Sequence, residues 1–364
     1  VKTAVVYHEP GRFAAWPANY GMWRWGDEIV VGFTVGAHQT VASGHARDKR
    51  QPFVNRQARS LDGGRNWQVE PFHGALPGGR GLSADEHMTA GLRLAEVMDA
   101  QTATVPPEPL DFTIADSALM LARTGLARGV FSFFYVSCDR CRSWDGPYRL
   151  PDFGETGIAA RTDGIVHGAQ AATLFLTANK ADGREGRIIC VRTRDGGRSF
   201  QRLSQVGADL DAPGDFAIMP SSLQLAEGRL LCARRCRIGA TMRSHIDLFA
   251  SDDLGISWRC ISQPVVFQKP GHSGNPPCLL ALGDGRLALL YGNRDRYAIC
   301  ARISEDGGIN WSREIVLRGG GANGDMGYVR AVVFEDGTVV ATYYFNDRSD
   351  GDGERFIEAT IWQP

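Results

Sequence analysis

The stretch Ser60-Leu61-Asp62-Gly63-Gly64-Arg65-Asn66-Trp67 constrains the fold more than any other, because the same eight-residue pattern returns four more times. It recurs as Ser137 to Trp144, Thr193 to Phe200, Ser251 to Trp258 and Ser304 to Trp311. Each copy reads hydroxyl, any residue, Asp, any residue, usually Gly, two more, aromatic. A tight turn between two strands explains the spacing. The carboxylates of Asp62, Asp139, Asp195, Asp253 and Asp306 and the leading hydroxyls can accept turn N–H groups. Glycine tolerates positive φ, and the aromatic can pack between sheets. Five copies in one chain predict a repeated supersecondary unit in which these aspartates are structural.

Two apolar runs precede each octet and one follows it. From Phe216 onward, Phe216 to Leu225, Arg229 to Arg234, Ile246 to Ser251 and Trp258 to Ser262 read as four successive strands. Pro277 to Leu282, Arg286 to Tyr291, Tyr297 to Ser304 and Asn310 to Leu317 repeat the unit. The last four octets start about 50 to 60 residues apart, the spacing of propeller blades. The longer gap between Ser60 and Ser137 predicts an insertion around 71–110, marked by Val105-Pro106-Pro107-Glu108-Pro109, or else a hidden extra blade. The tail supplies only three strands, Tyr328 to Phe334, Thr338 to Phe345 and Phe356 to Trp362. Lys2 to Tyr7 can add the fourth and close the ring, removing exposed sheet edges. The expected fold is therefore all-β: one domain over residues 1–364, a six-bladed β-propeller of four-stranded antiparallel blades, with seven blades as the alternative.

Composition excludes other classes. The formal net charge of -1 offers no basic or acidic excess for nucleic acid, and no apolar run is long enough to span a bilayer. The eight cysteines are scattered, several within strand-like apolar runs, and read as buried free thiols. The Cys138/Cys141 pair falls inside an octet without two further metal ligands. No phosphate loop or dinucleotide fingerprint accompanies it, so neither metal nor cofactor is expected. The N-terminal Val1 to Tyr7 reads as a strand rather than a secretory signal, which favours a cytoplasmic location, or a secreted one if a signal has been removed. Oligomeric state leaves no mark in the sequence.

If the first strand of each blade runs away from an upper face, the octets lie on the lower face. The upper face is then built from starts of first strands and ends of second strands. The starts carry Arg12, Arg161 with Asp163, Met219, Asn275, and Tyr328 with Arg330. The ends carry His38, Lys180, Arg234 with Arg235, Arg294, and Asn346 with Asp347. So many arginines near one axis favour an anion such as a carboxylate, for which guanidinium offers a planar, permanently charged fork.

With Arg12 ahead of the first hairpin and Tyr328 opening the last blade, the five octets resemble the sialidase (neuraminidase) superfamily and its Asp-box, or BNR, repeats. The resemblance covers essentially the whole chain. It implies three arginines for a substrate carboxylate, a tyrosine nucleophile backed by a glutamate, and an aspartate as acid/base. Arg12, in Gly11-Arg12-Phe13-Ala14-Ala15-Trp16-Pro17, is similar to the first arginine, Arg234 or Arg235 to the second, and Arg294 or Arg296 to the third. Tyr328 stands where the nucleophile is implied. Ala217-Ile218-Met219-Pro220 occupies the glutamate's place, and the implied aspartate falls near Gly36-Ala37-His38; Asp325 and Asp163 remain as carboxylates that could serve Tyr328. His38 can exchange protons near neutral pH, with His45 and His272 as further candidates.

The resemblance implies a glycoside hydrolase that cleaves a terminal acidic sugar, with an acidic oligosaccharide as partner. Elimination at a uronate, with His38 and Tyr328 moving the proton, is one alternative. The other is a non-catalytic propeller that binds glycan or protein through the same face.

Overall fold

The computed structural model describes residues 1–364 except 42–43, 77–81, 83–87, 90–91, 93–103, 211, 273 and 348–352. The apolar runs become six antiparallel sheets, the blades of a propeller. In blade 1 the inner strand is split into Arg12–Ala15 and Met22–Trp25, followed by Glu28–Ala37, Val54–Ser60 and Gln68–Pro71. Blade 2 has Ala118–Arg123, Ser132–Ser137 and Asp145–Arg149, three strands among the described residues. Blade 3 comprises Gly164–Gly168, Ala171–Asn179, Glu185–Thr193 and Gln201–Gln205. Blade 4 comprises Phe216–Gln224, Leu230–Ile238, Arg243–Ser251 and Arg259–Val266. Cys278–Ala281, Leu287–Asn293, Ala298–Ser304 and Ile315–Arg318 form blade 5. Gly327–Val333, Val339–Phe345 and Phe356–Trp362 form blade 6, with Lys2–Tyr7 as its outer strand. Lys2 pairs with Ile361 and Thr3 with Thr360, so the two ends of the chain close the ring as expected. Most of the expected insertion around 71–110 lies outside the described residues. Of the rest, Leu82 and Met88 are buried, and Met88 Sδ lies 3.3 Å from the Phe53 amide.

The octets form the turns their composition predicts. In the fourth copy, Ser251 Oγ donates to Asp253 Oδ1 (2.8 Å) and accepts the Gly255 N–H (2.7 Å). Asp253 also accepts the Ser257 N–H (2.9 Å) and Oγ–H (2.5 Å). The same bonds recur around Asp62, Asp139, Asp195 and Asp306. The closing aromatic then ties neighbouring blades together. Trp258 lies edge-on to Phe175 of blade 3 at 5.7 Å, and its indole N–H donates to Ser204 Oγ at 3.0 Å. Between these blades Phe175, Ile188, Cys190, Leu230 and Cys232 form a fully buried layer.

One feature of blade 1 shapes the axis. Between the two halves of its inner strand, the chain leaves the sheet through Trp16, at φ 65°, and makes a single helical turn, Pro17–Tyr20, whose residues are all buried. The turn packs against the inner strands of blades 2 and 6 and plugs the channel. Proline at the first helical position suits the fixed φ of that site. Blade 1 makes room at Gly32, where a Cβ would lie 2.7 Å from Tyr20 Cβ.

Candidate active site above the axial plug

On the Trp16 side of the plug, Tyr328 meets Arg235 of blade 4 and feels the charges of Arg161 and Arg294, from blades 3 and 5. Arg235 Nη1 approaches the phenol oxygen at 3.4 Å and Met219 Sδ at 3.3 Å. Burial opposes ionisation of Tyr328, but the positive charges of Arg235, Arg294 and Arg161 outweigh it and hold the phenol below its ordinary 10.0. Arg235 is itself buried, which lowers its own proton affinity. Arg161 is held by both oxygens of Glu185 at 3.1 Å, so one carboxylate partly balances the cluster and the site stays cationic.

The backbone that presents Tyr328 is specified with care. Its φ of 55° and a register shift between Gly327 and Arg330 push the residue out of the strand as a bulge. Met219 repeats this in blade 4, with φ 54° and a register shift between Ile218 and Ser221. Left-handed geometry at a non-glycine residue costs on the order of 1–3 kcal/mol and is characteristic of functional positions. Asn275, fully buried, holds the bulge: it accepts the Tyr328 N–H at 2.8 Å and donates to Met326 O at 2.9 Å. Gly327, at φ 107°, has no alternative, since a Cβ there would lie 2.3 Å from Asn275 Oδ1.

Several of the other residues singled out in the sequence have partners of their own. Arg234, adjacent to Arg235 but on the opposite side of its strand, pairs with Asp247 at 3.2 Å and covers Phe249. Arg12 begins blade 1, where its charge acts on Tyr7. His38 forms a backbone bridge to Arg47, and its N–H donates to Gly11 O at 3.0 Å. Arg296 pairs with Glu314 at 2.9 Å, and His272 with Asp295 at 2.7 Å. Arg330 reaches the carbonyls of Ala18 (3.2 Å) and Thr162 (2.5 Å), clamping the plug.

Asp163 lies beyond the plug, on a cavity of about 390 Å³ also lined by Gly21, Thr162, Ser222, Cys278 and Arg330. This cavity does not include Tyr328. Burial pushes the Asp163 carboxyl up to about 6 against the pull of Arg330, and its Oδ1 accepts the Ser222 N–H at 3.0 Å.

Glu185 has no cue in the sequence, whereas Asp325 and His45, each named there as a candidate, belong to one cluster. Asp325 accepts from His45 Nδ1 (2.6 Å), the Ala46 N–H (3.1 Å), Tyr344 Oη (2.9 Å) and Arg355 Nε (2.9 Å). Cys236, His245 and Asp247 offer donor atoms within 4.8 Å of one another, the one such trio among the described residues. Asp247 already has the Arg234 guanidinium at 3.2 Å and Gln263 Nε2 at 3.0 Å, so its charge is matched without a metal.

Fold and site together define a six-bladed β-propeller with an arginine-rich axial site. Residues 128–341, more than half of the chain, match the BNR repeat-like domain family, and the chain belongs to that family. A search of curated proteins returns no match. Among solved structures, a protein of unknown function from Dyadobacter fermentans superposes with TM-score 0.71 at 20% identity, covering 99% of this chain and 97% of that one. The NanB sialidase from Streptococcus pneumoniae gives TM-score 0.63 at 11% identity, over 99% of this chain and 70% of that one. An α-L-arabinanase from Penicillium chrysogenum gives 0.61 at 12% identity, over 100% and 98%. These likenesses are of fold. The two neighbours named for an activity are glycoside hydrolases, and neither supports elimination.

Proposed function

We propose that the protein is a glycoside hydrolase acting on a terminal sugar that bears a carboxylate. In this reading Arg161, Arg235 and Arg294 hold the acidic group and Tyr328 is the nucleophile. The observation that carries it is the Arg235 guanidinium 3.4 Å from the Tyr328 phenol, with the charges of Arg294 and Arg161 acting on the same group. Such a site both recruits an anion and stabilises a tyrosinate without an adjacent carboxylate. Met219, which the Arg235 guanidinium also approaches, offers no carboxylate to act as a general base, so in this reading the arginines supply the activation. Glycosidases with a tyrosine nucleophile are the exception to the paired-carboxylate scheme that this arrangement fits.

The test is hydrolysis of aryl glycosides of sialic and uronic acids beside neutral arabinosides. Turnover is expected on the acidic sugars alone, and Tyr328→Phe should lower kcat at least about 100-fold with the fold intact. Turnover confined to neutral arabinosides would reject the carboxylate reading. Met219 also favours a second reading, a glycan-binding propeller without catalysis. In that case wild type binds acidic glycans without turnover, and Tyr328→Phe keeps the affinity.

A further inference from the structure

We propose that His45, oriented by Asp325, is the proton donor and acceptor at the glycosidic oxygen; this rests on the hydrolase reading above. His45 follows the second strand of blade 1, on the Trp16 side of the plug. Its Nδ1 lies 2.6 Å from Asp325 Oδ1, and its ring stands nearly perpendicular to Trp16 at 5.0 Å and to Phe13 at 6.3 Å. The side chain is 32% exposed, whereas that of Asp325 is 5% exposed. An imidazole pinned through Nδ1–H to a buried carboxylate, with its other edge toward solvent, has Nε2 as its proton-exchanging atom.

Asp325 also ties this histidine to the nucleophile. It lies three residues before Tyr328 and accepts the Tyr344 hydroxyl, while the Tyr344 ring meets the Tyr328 ring edge-on at 5.9 Å. The charged and titratable groups around His45 are Asp325 itself, Arg355 and Tyr344 behind it, and Arg47 over the Trp16 ring at 5.1 Å. His45, Arg355 and the Ala46 N–H hold Asp325 down at about 2 despite its burial. It therefore stays an anion that orients the imidazole rather than a proton source.

The reaction balances as a double displacement. Tyr328, having released its phenolic proton to solvent under the influence of the arginines, bonds to the anomeric carbon. The glycosidic C–O bond breaks, and the leaving oxygen takes the proton from His45 Nε2. Neutral His45 then removes a proton from water, whose oxygen bonds to the anomeric carbon and releases the tyrosinate. The net change is one water consumed and one glycosidic bond hydrolysed.

Leaving-group dependence separates this from a structural role for His45. On substrates with alkoxide leaving groups, His45→Gln should lose about 10²- to 10⁴-fold in kcat/KM, the range for general acid catalysis. On an activated nitrophenyl glycoside it should form the Tyr328 adduct at close to the wild-type rate. The pH–rate profile of His45→Gln should lack the limb due to the proton donor. Asp325→Asn, monitored by thermal unfolding alongside, should show the same dependence to a smaller degree. Equal losses on both leaving groups, or none, with Tyr328→Phe inactive, overturn the role of His45 and leave the hydrolase reading standing. Absence of wild-type turnover on every acidic glycoside overturns both.

Discussion

Asp163 couples stability to pH through its position beyond the plug. Its folded-state value of about 6 lies above the ordinary 3.8, so the folded protein binds this proton more tightly than the unfolded chain. Below about pH 4 both states are protonated and the group is neutral in effect. As pH rises from about 4 to 6 the unfolded chain ionises first, and stability falls by on the order of 3 kcal/mol before levelling off. Asp163→Asn keeps an oxygen for the Ser222 N–H and removes the buried charge. Its melting temperature should exceed wild type at pH 7.5 and match it near pH 4. An equal gain at both values would place the effect in packing rather than in the carboxylate's charge.

The distance along the chain between interacting groups explains why the sequence located some elements and not others. Each octet is legible because its bonds run between groups two to four residues apart, as from Ser251 to Asp253 and from Ser257 to Asp253. Blade order and ring closure followed from counting these local units. The sorting of strand ends by face picked out Arg161, Arg235, Arg294 and Tyr328, but it could not choose Arg235 over Arg234. Alternation along a strand gives opposite directions for neighbours, and packing alone decides which points to the axis. The plug itself had a local cue in Pro17, since proline suits the first position of a helical turn. His45 and Asp325 are 280 positions apart, a contact with no local signal. Gly32 tests the plug directly, because the added methyl of Gly32→Ala would meet Tyr20 Cβ at 2.7 Å. The expected cost is about 1–3 kcal/mol, the range for overpacking, read as a lower melting temperature. An unchanged melting temperature would mean that Tyr20 yields freely and the turn is loosely seated.

Closure makes the propeller one cooperative object, and a single outer strand completes it. Lys2–Tyr7 pairs along Phe356–Trp362, while Tyr7 also meets Phe33 of blade 1 at 5.6 Å, so the strand joins blade 6 to its neighbour across the seam. Lys2, Thr3 and Val5 are exposed, which leaves backbone pairing as the main contribution of most of this strand. Removing residues 1–8 should cost roughly 3–5 kcal/mol if each lost ladder bond contributes about 1 kcal/mol. That corresponds to a fall of about 4–7 °C in Tm for a chain of 364 residues. The bared edge of Phe356–Trp362 is also a template for another chain, so concentration-dependent association should appear in light scattering. A synthetic peptide of residues 1–9 added in trans separates edge pairing from a folding defect, because it should restore Tm and suppress association together. A truncated protein that melts like wild type and stays monomeric would instead show that inter-blade packing holds the seam without its closing strand.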